Sequence, residues 1–374
     1  MSSLDTSDAE PVRATVRNPR WSSSVKDWAH AALDTVLERA AGTHAAVGTR
    51  FPLYADSTSG EWVTTSRGSW TGGFWAGLLW LRALRSGERA DRSAATETTA
   101  RLASWVNTDT STRGLILWYG TALASGPGND TAAAALRETA ARACLADFDH
   151  ELGLLPWGSA FGGPRLVARV DGVPGVVPLL ATGREPASSS AAQRHLNTHL
   201  TRWRTAEAGT PAWAWADDAW VPCAQPRPGW SRGRAWLLLA LADASWYLDP
   251  GYLLDAAALT GADQPLVPPA EDNADAPADT SAAAIEAVAL LKLAAAQQIP
   301  RFSSAFRSRA TKIIRLLATR YLSGPGEPEP TGRLMGGCYD YDRGLATTHE
   351  LIWGDFFFAL ALAIQTGLVT PFDS

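Results

Sequence analysis

The chain has 374 residues, 46% of them hydrophobic and 19% charged, the make-up of a globular protein with a large core. A net charge of −5 with no basic tract argues against nucleic acid as a partner. No apolar run approaches the roughly 18 residues of a membrane span, and the polar first twenty residues lack the apolar stretch of a secretory signal.

A soluble, cytoplasmic protein is therefore expected, with no membrane partner. Its three cysteines, Cys144, Cys223 and Cys338, are odd in number and lack metal-ligand spacing, so reduced thiols are expected. Lys26, Lys292 and Lys312 are the only lysines, and the preference for Arg and Ala reflects the coding bias of a GC-rich, bacterial genome. Seventeen tryptophans stand out. Core filling accounts for many such residues. Trp213, Trp215, Trp220 and Trp230, however, fall where loops are expected and would make stacking walls for a flat or sugar-like ligand.

Residues 1–22 read as a disordered or extended arm, and 23–374 as a single domain. Apolar residues at Val25, Trp28, Ala32, Val36 and Leu37 have helical spacing. The segment 42–69 reads as a loop with room for a short hairpin. Thr71 to Leu84 reads as a helix that is apolar almost all round. Further helices are predicted at about 91–106, 114–125, 131–146, 173–183, 188–204, 232–248, 252–261, 280–297, 301–321 and 351–366. Short connections rich in Gly, Pro, Asp and Thr join them, and such helices pack as antiparallel neighbours. About a dozen helices of this kind close into an (α/α)6 barrel, an all-α six-hairpin toroid, with 71–84 and 232–241 among the inner helices. The unperiodic stretch 205–229 is placed over the barrel mouth, since long loops in compact domains are commonly functional.

The segment Gly163 to Leu180, GPRLVARVDGVPGVVPLL, sets one acid between two apolar runs. Read by itself, Asp171 fits two roles equally. It is either the N-cap of a helix starting near Val173 or a carboxyl whose buried setting suits it to proton transfer.

Four segments then resemble a known family. Trp70 to Trp80 (WTGGFWAGLLW), Trp230 to Trp236 (WSRGRAW), Asp279 to Ile285 (DTSAAAI) and Gly337 to Phe357 (GCYDYDRGLATTHELIWGDFF) resemble motifs of the unsaturated glucuronyl hydrolases and their rhamnogalacturonyl relatives, in the family's order. The resemblance implies the barrel, a small-molecule sugar substrate, no cofactor and no metal. It makes Asp171 the general acid/base, protonating C4 of a Δ4,5-unsaturated uronic acid and helping water add at C5. That chemistry needs one carboxyl able to give and take a proton, rather than a two-carboxylate displacement at the anomeric carbon. With it, the catalytic reading of Asp171 overtakes the N-cap reading. The implied substrate-binding set is Trp70, Trp75, Thr112, Trp213, Trp215, Arg232, Trp236, His349 and Trp353.

The departures are specific. Ser111 to Leu115 (STRGL) matches the family segment that carries a second Asp, which puts Thr112 at the acid's place. Trp213 stands near the place of a substrate-binding His, and Arg234 replaces the usual Gln. His150 to Leu154 (HELGL) matches a different, Gly-rich loop. Arg232 fits a carboxylate clamp and a structural partner of an Asp equally well. Asp279 reads as an N-cap, Asp355 as structural, Glu350 as a weak site candidate, and Asp217 and Asp218 as solvated. His195 and His199, four apart on one helix, lack a third ligand for a metal. A second function therefore stands beside the first: a repurposed barrel acting as a cyclase, isomerase or hydratase on a hydrophobic small molecule in secondary metabolism. A non-catalytic scaffold is the third, and Asp171 within its motif argues against it. Either a monomer or a homodimer is compatible with the sequence.

Overall fold

Helices that are apolar on every side must be covered on every side, and that requirement organises the chain. The computed structural model describes residues 25–205, 209–261, 263–297, 299–324 and 330–374. The arm expected over residues 1–22 lies outside the described residues. Among the described residues, twelve α-helices follow one another in six pairs. They are α1 (Val25–Val47) and α2 (Gly72–Ser86), α3 (Arg89–Arg101) and α4 (Tyr119–Ser125), and α5 (Thr131–Ala146) and α6 (Val176–Ala181). The chain continues with α7 (Ser188–Thr205) and α8 (Ser231–Tyr247), α9 (Tyr252–Leu259) and α10 (Thr280–Ala296), and α11 (Pro300–Arg320) and α12 (Ile352–Thr366).

The second helix of each pair is the buried one. All of α10 from Thr280 to Leu293 is inaccessible or nearly so, and α2, α8 and α12 are covered almost all round. These helices touch in cyclic order: α2 packs on α4, the turn leading into α4 on α6, then α6 on α8, α8 on α10, α10 on α12, and α12 back on α2. The first helices of the pairs lie outside and bury one stripe each. In α11 that stripe is Phe306, Ala310, Ile313, Ile314 and Leu317, a three- and four-residue spacing.

The predicted helices are present within a few residues of their expected ends, with informative exceptions. The helix expected from 173 starts only at Val176, because Gly175 takes a positive φ of 76° ahead of it. A Cβ on Gly175 would overlap the carbonyl of Gly114, and a Cβ on Gly114 would overlap the Val176 nitrogen. Two glycines facing each other thus let two backbones touch. The helix expected from 114 opens with a wider π-type turn over Gly114–Trp118.

Two small sheets depart from a purely helical reading. Strands β1 (Phe51–Ala55) and β2 (Trp62–Thr65) form the hairpin that 42–69 had room for, with β6 (Glu350–Leu351) added to β1. The other sheet runs β3 (Val167–Arg169), β4 (Ala212–Ala216) and β5 (Ala219–Pro222). The stretch 205–229, expected to lack regular structure, is therefore in part a hairpin. Its tip is Asp217 and Asp218, both at positive φ, as a two-residue hairpin turn requires.

At the centre of the helix ring the rings of Phe74, Tyr119, Trp236, Phe356 and Phe357 pack together at centroid separations of 5.1–6.1 Å. Among the described residues, no helix is long and apolar enough to cross a membrane.

Candidate active site

Because every inner helix enters the ring in the same sense, the segments preceding them converge at one end. A cavity of about 490 Å³ lies there. Trp70 comes from the segment before α2, Thr112 from before α4, Asp171 from before α6, and Arg232 from the first turn of α8. Glu271 precedes α10, and residues 338–343 precede α12. Trp236 of the central aromatic cluster forms part of the lining.

Asp171 is held by a device that a turn in the chain provides. Strand β3 ends at Arg169, and a 3-10 turn over Val170–Gly172 follows at once, bringing the Asp171 carboxylate back beside the Arg169 side chain. The Arg169 guanidinium donates from Nε and Nη2 to the two carboxylate oxygens, at 2.9 and 2.8 Å. The Trp157 ring lies under that guanidinium, 4.3 Å away. Strand β4 pairs with β3 up to Arg169↔Ala212, and Val170 N–H donates to Pro211 O, so the fork sits on stiffened backbone.

The N-cap reading of Asp171 is corrected here. Gly175 caps α6, and the carboxylate takes its hydrogen bonds from Arg169 instead of backbone N–H groups. Behind the turn, His195 of α7 accepts the Leu155 N–H at Nδ1 and donates from Nε2 to the Gly172 carbonyl, both at 3.1 Å. His195 and His199 are thus buried backbone fasteners. Burial pushes His199 down to about 4 and His195 well below its usual value. Among the described residues, no three metal-ligating side chains gather in one place.

Thr112 lines the same cavity as Asp171, and its segment packs on the Asp171 turn, where a Cβ on Gly172 would stand 2.5 Å from the hydroxyl of Ser111. The Thr112 hydroxyl is 2.9 Å from that of Thr110, so it is occupied locally. Arg232 has the structural partner expected of it, bonding Asp279 at 2.6 Å, with further bonds to the carbonyls of Cys338 and Tyr339 at 2.5 and 2.7 Å, and it also lines the cavity. Asp279 caps α10 as predicted, accepting from Ser281 N and Ala282 N. Arg234 shares the buried Glu286 with Arg309.

Several expected wall residues lie elsewhere. Trp75 is buried in α2, and Trp353 is fully covered behind Trp70, 4.8 Å away ring to ring. Trp213 faces Leu154, Ala168 and Val170 in a small core of its own. Trp215 stacks edge-on with Trp220 on the hairpin, and His349 packs against Tyr54. Glu350 bridges Arg39 and Arg333 in the interior, and with burial it drives the Asp355 carboxyl well above its usual range.

The structure adds residues the motifs did not indicate: Arg169, Trp157 and Glu271. None carried a plain sequence signal: Arg169 meets Asp171 through the turn that follows β3, and the other two sit in irregular segments. Glu271 is largely covered, 9% exposed, and among the described residues its carboxylate forms no ion pair. Burial, aided by Asp342 and Asp340 and opposed by Arg227, pushes its pKa up. Cys338 is no nucleophile at neutral pH, since burial and Asp279 push its thiol up to about 12.

No family model matches the chain. It is 26% identical over 354 residues to an unsaturated glucuronyl hydrolase of Bacillus sp. (strain GL1), covering 84% of this chain and 90% of that one. In sequence the chain is thus similar, at low identity, to an unsaturated glucuronyl hydrolase. Structures of that group match its fold. The Bacillus sp. GL1 enzyme superposes with a TM-score of 0.77 at 23% identity, over 90% of this chain and 96% of that one. The Streptococcus agalactiae unsaturated glucuronyl hydrolase gives 0.80 at 15% identity, over 96% and 98%. One specific for heparin gives 0.79 at 20%, over 92% and 99%. The cavity here combines an acid clasped by Arg169 with Thr112 elsewhere in its lining.

Proposed function

We propose that the chain is an (α/α)6-barrel enzyme of the glycoside hydrolase type that hydrates the enol ether of an unsaturated uronyl sugar, with Asp171 as its acid/base. The closed ring of six inner helices supports the barrel, with residues 23–374 as one soluble, cytoplasmic domain working as a monomer or homodimer. The observation that carries the function is Asp171 itself, set in a cavity beside Arg169 and walled by Trp70, Trp157 and Trp230. The long inner helices α2, α8, α10 and α12 turn their N-terminal ends toward this cavity, and their dipoles favour an anionic ligand such as a uronate. The aromatic rings offer flat faces to a sugar.

In the reaction, a proton reaches C4 of the substrate and positive charge develops at C5, shared with the ring oxygen. Water adds at C5 as a carboxylate takes its proton. The resulting hemiketal opens to a ketone as its C5–O5 bond breaks and O5 takes a proton; the hemiacetal left at C1 then collapses to an aldehyde, its C1–O bond to the partner sugar breaking as that oxygen takes the proton of the C1 hydroxyl. The test is turnover of an unsaturated glucuronyl disaccharide, followed by loss of its ultraviolet absorbance, for wild type and Asp171→Asn. Consumption by wild type alone supports the reading; consumption by neither folded protein overturns it.

The alternative, a cyclase, isomerase or hydratase acting on a hydrophobic molecule, draws on one observation. A threonine hydroxyl already bonded to Thr110 stands where the family resemblance places an acid.

A further inference from the structure

Asp171 in its resting arrangement is poorly suited to begin the reaction by giving a proton. Two charge-assisted hydrogen bonds from one guanidinium suit the ionised carboxylate, which has nothing to donate. Thr112 does not fill the gap, since its hydroxyl is engaged with Thr110. The hydration nevertheless needs an acid at one carbon and a base at the water.

We propose that Glu271 is the second catalytic carboxyl of this cavity, delivering the proton to the substrate alkene while Asp171 takes one from the attacking water. This rests on the proposed reaction and divides its acid/base work, moving the donor half from Asp171 to Glu271 and leaving Asp171 the base. Glu271 lines the same cavity as Asp171, approaching it from the segment before α10. Its backbone is fixed to the inner ring: the neighbouring Ala270 carbonyl accepts Ser231 N–H at 3.0 Å and the Ser231 hydroxyl at 3.2 Å, and Ala270 N–H donates to Pro277 O at 2.7 Å. Among the described residues no cationic side chain pairs with the Glu271 carboxylate. Arg232 is taken by Asp279, and Arg227 by Asp342 at 2.8 Å.

The groups facing Glu271 are Asp340, Asp342 and Cys338 from the segment before α12, and Arg227 from the segment before α8. Burial and the two aspartates favour its protonated form. Two carboxyls with opposite environments divide acid and base work in this way. In the cycle the Glu271 O–H bond breaks as C4–H forms. The Asp171 carboxylate gains a proton as the water oxygen bonds C5. One proton passing from Asp171 back to Glu271 through solvent resets the site.

The test is the pH dependence of kcat/KM on the unsaturated disaccharide for wild type, Glu271→Gln, Glu271→Asp and Asp171→Asn. Glu271→Gln loses about 10²–10⁴-fold in kcat/KM, the range of general acid catalysis, together with the alkaline limb of the wild-type profile. Glu271→Asp recovers part of the rate and the limb. A Gln variant with wild-type kcat/KM and its alkaline limb overturns the role of Glu271 and leaves Asp171 standing. If wild type does not turn over, the substrate reading falls, and Glu271 is read without activity by infrared titration of wild type against Glu271→Gln. A protonated carboxyl band at neutral pH, missing from the variant, supports the donor role. No such band in wild type overturns it.

Discussion

Arg169 grips Asp171 from two residues upstream, guanidinium edge to carboxylate edge, with both contacts under 3 Å. The fork fixes where the acid points, and the Trp157 ring beneath fixes the fork. Arg169→Gln keeps a hydrogen-bonding side chain but removes the second prong and the charge. The expected outcome is a roughly 10–100-fold lower kcat/KM on the unsaturated disaccharide, since a hydrogen bond to a charged group is worth about 1.5–3 kcal/mol. The folded state should change little, because the pair is partly open to solvent. Steady-state kinetics beside thermal unfolding separates the two effects. Wild-type kcat/KM in the variant would show that the fork orients nothing of consequence.

Arg232 both lines the cavity and pairs with Asp279. Its partner Asp279 is inaccessible and also caps α10, so removing the guanidinium strands a buried charge. Arg232→Gln should lower stability by about 3–5 kcal/mol in denaturant melts, the usual cost of breaking such a pair from one side. Arg232→Gln combined with Asp279→Asn should cost less than the sum of the two single changes. A strictly additive pair would mean that the two side chains do not depend on each other.

The twelve helices were largely legible in the sequence because their burial writes two plain patterns: runs apolar all round, as in α2 and α8, and single stripes, as in α11. The strands were less so. Three to five residues give too few periods to recognise, and AWAWA in β4 reads as a Trp-rich loop until pairing with β3 buries Trp213 and leaves Trp215, two residues further along the same face, half-buried beside Trp220. Asp171 was legible through its motif, but its partner Arg169 required knowing that a turn follows VAR. Glu271 sits in a Pro- and Asp-rich connection that looks like a solvated linker. Only the return of that connection onto Ser231 brings it to the cavity.

The tryptophans divide by position in a way that kinetics can read. Trp157 and Trp230 line the cavity, whereas Trp75 and Trp353 are buried behind it. Trp230→Ala should raise KM about tenfold, since stacking faces of this kind contribute roughly 1–1.5 kcal/mol, with a smaller change in melting temperature than a core truncation. Trp75→Ala should cost about 3–5 kcal/mol of stability and leave the KM of the protein that remains folded near that of wild type. Equal effects of the two changes on KM would remove the distinction between wall and core.

Acid should weaken the fold through the two buried histidines, and the sign follows from their environment. His195 and His199 are neutral in the folded protein because burial opposes their charged forms, His199 with a pKa of about 4. In the unfolded chain each titrates near 6.5. Below that pH the unfolded state binds protons that the folded state excludes, so the stabilisation present above 6.5 is lost as the pH falls. For His199 the loss is complete near pH 4 and amounts to roughly 3 kcal/mol. Denaturant midpoints taken from pH 7.5 down to 4.5 should decline, and His199→Gln should be less stable at pH 7.5 but decline less steeply. Because His195 holds the Gly172 carbonyl beside Asp171, the same acid range should loosen the site before the protein unfolds as a whole. Parallel curves for wild type and His199→Gln would show that His199 does not govern the acid response.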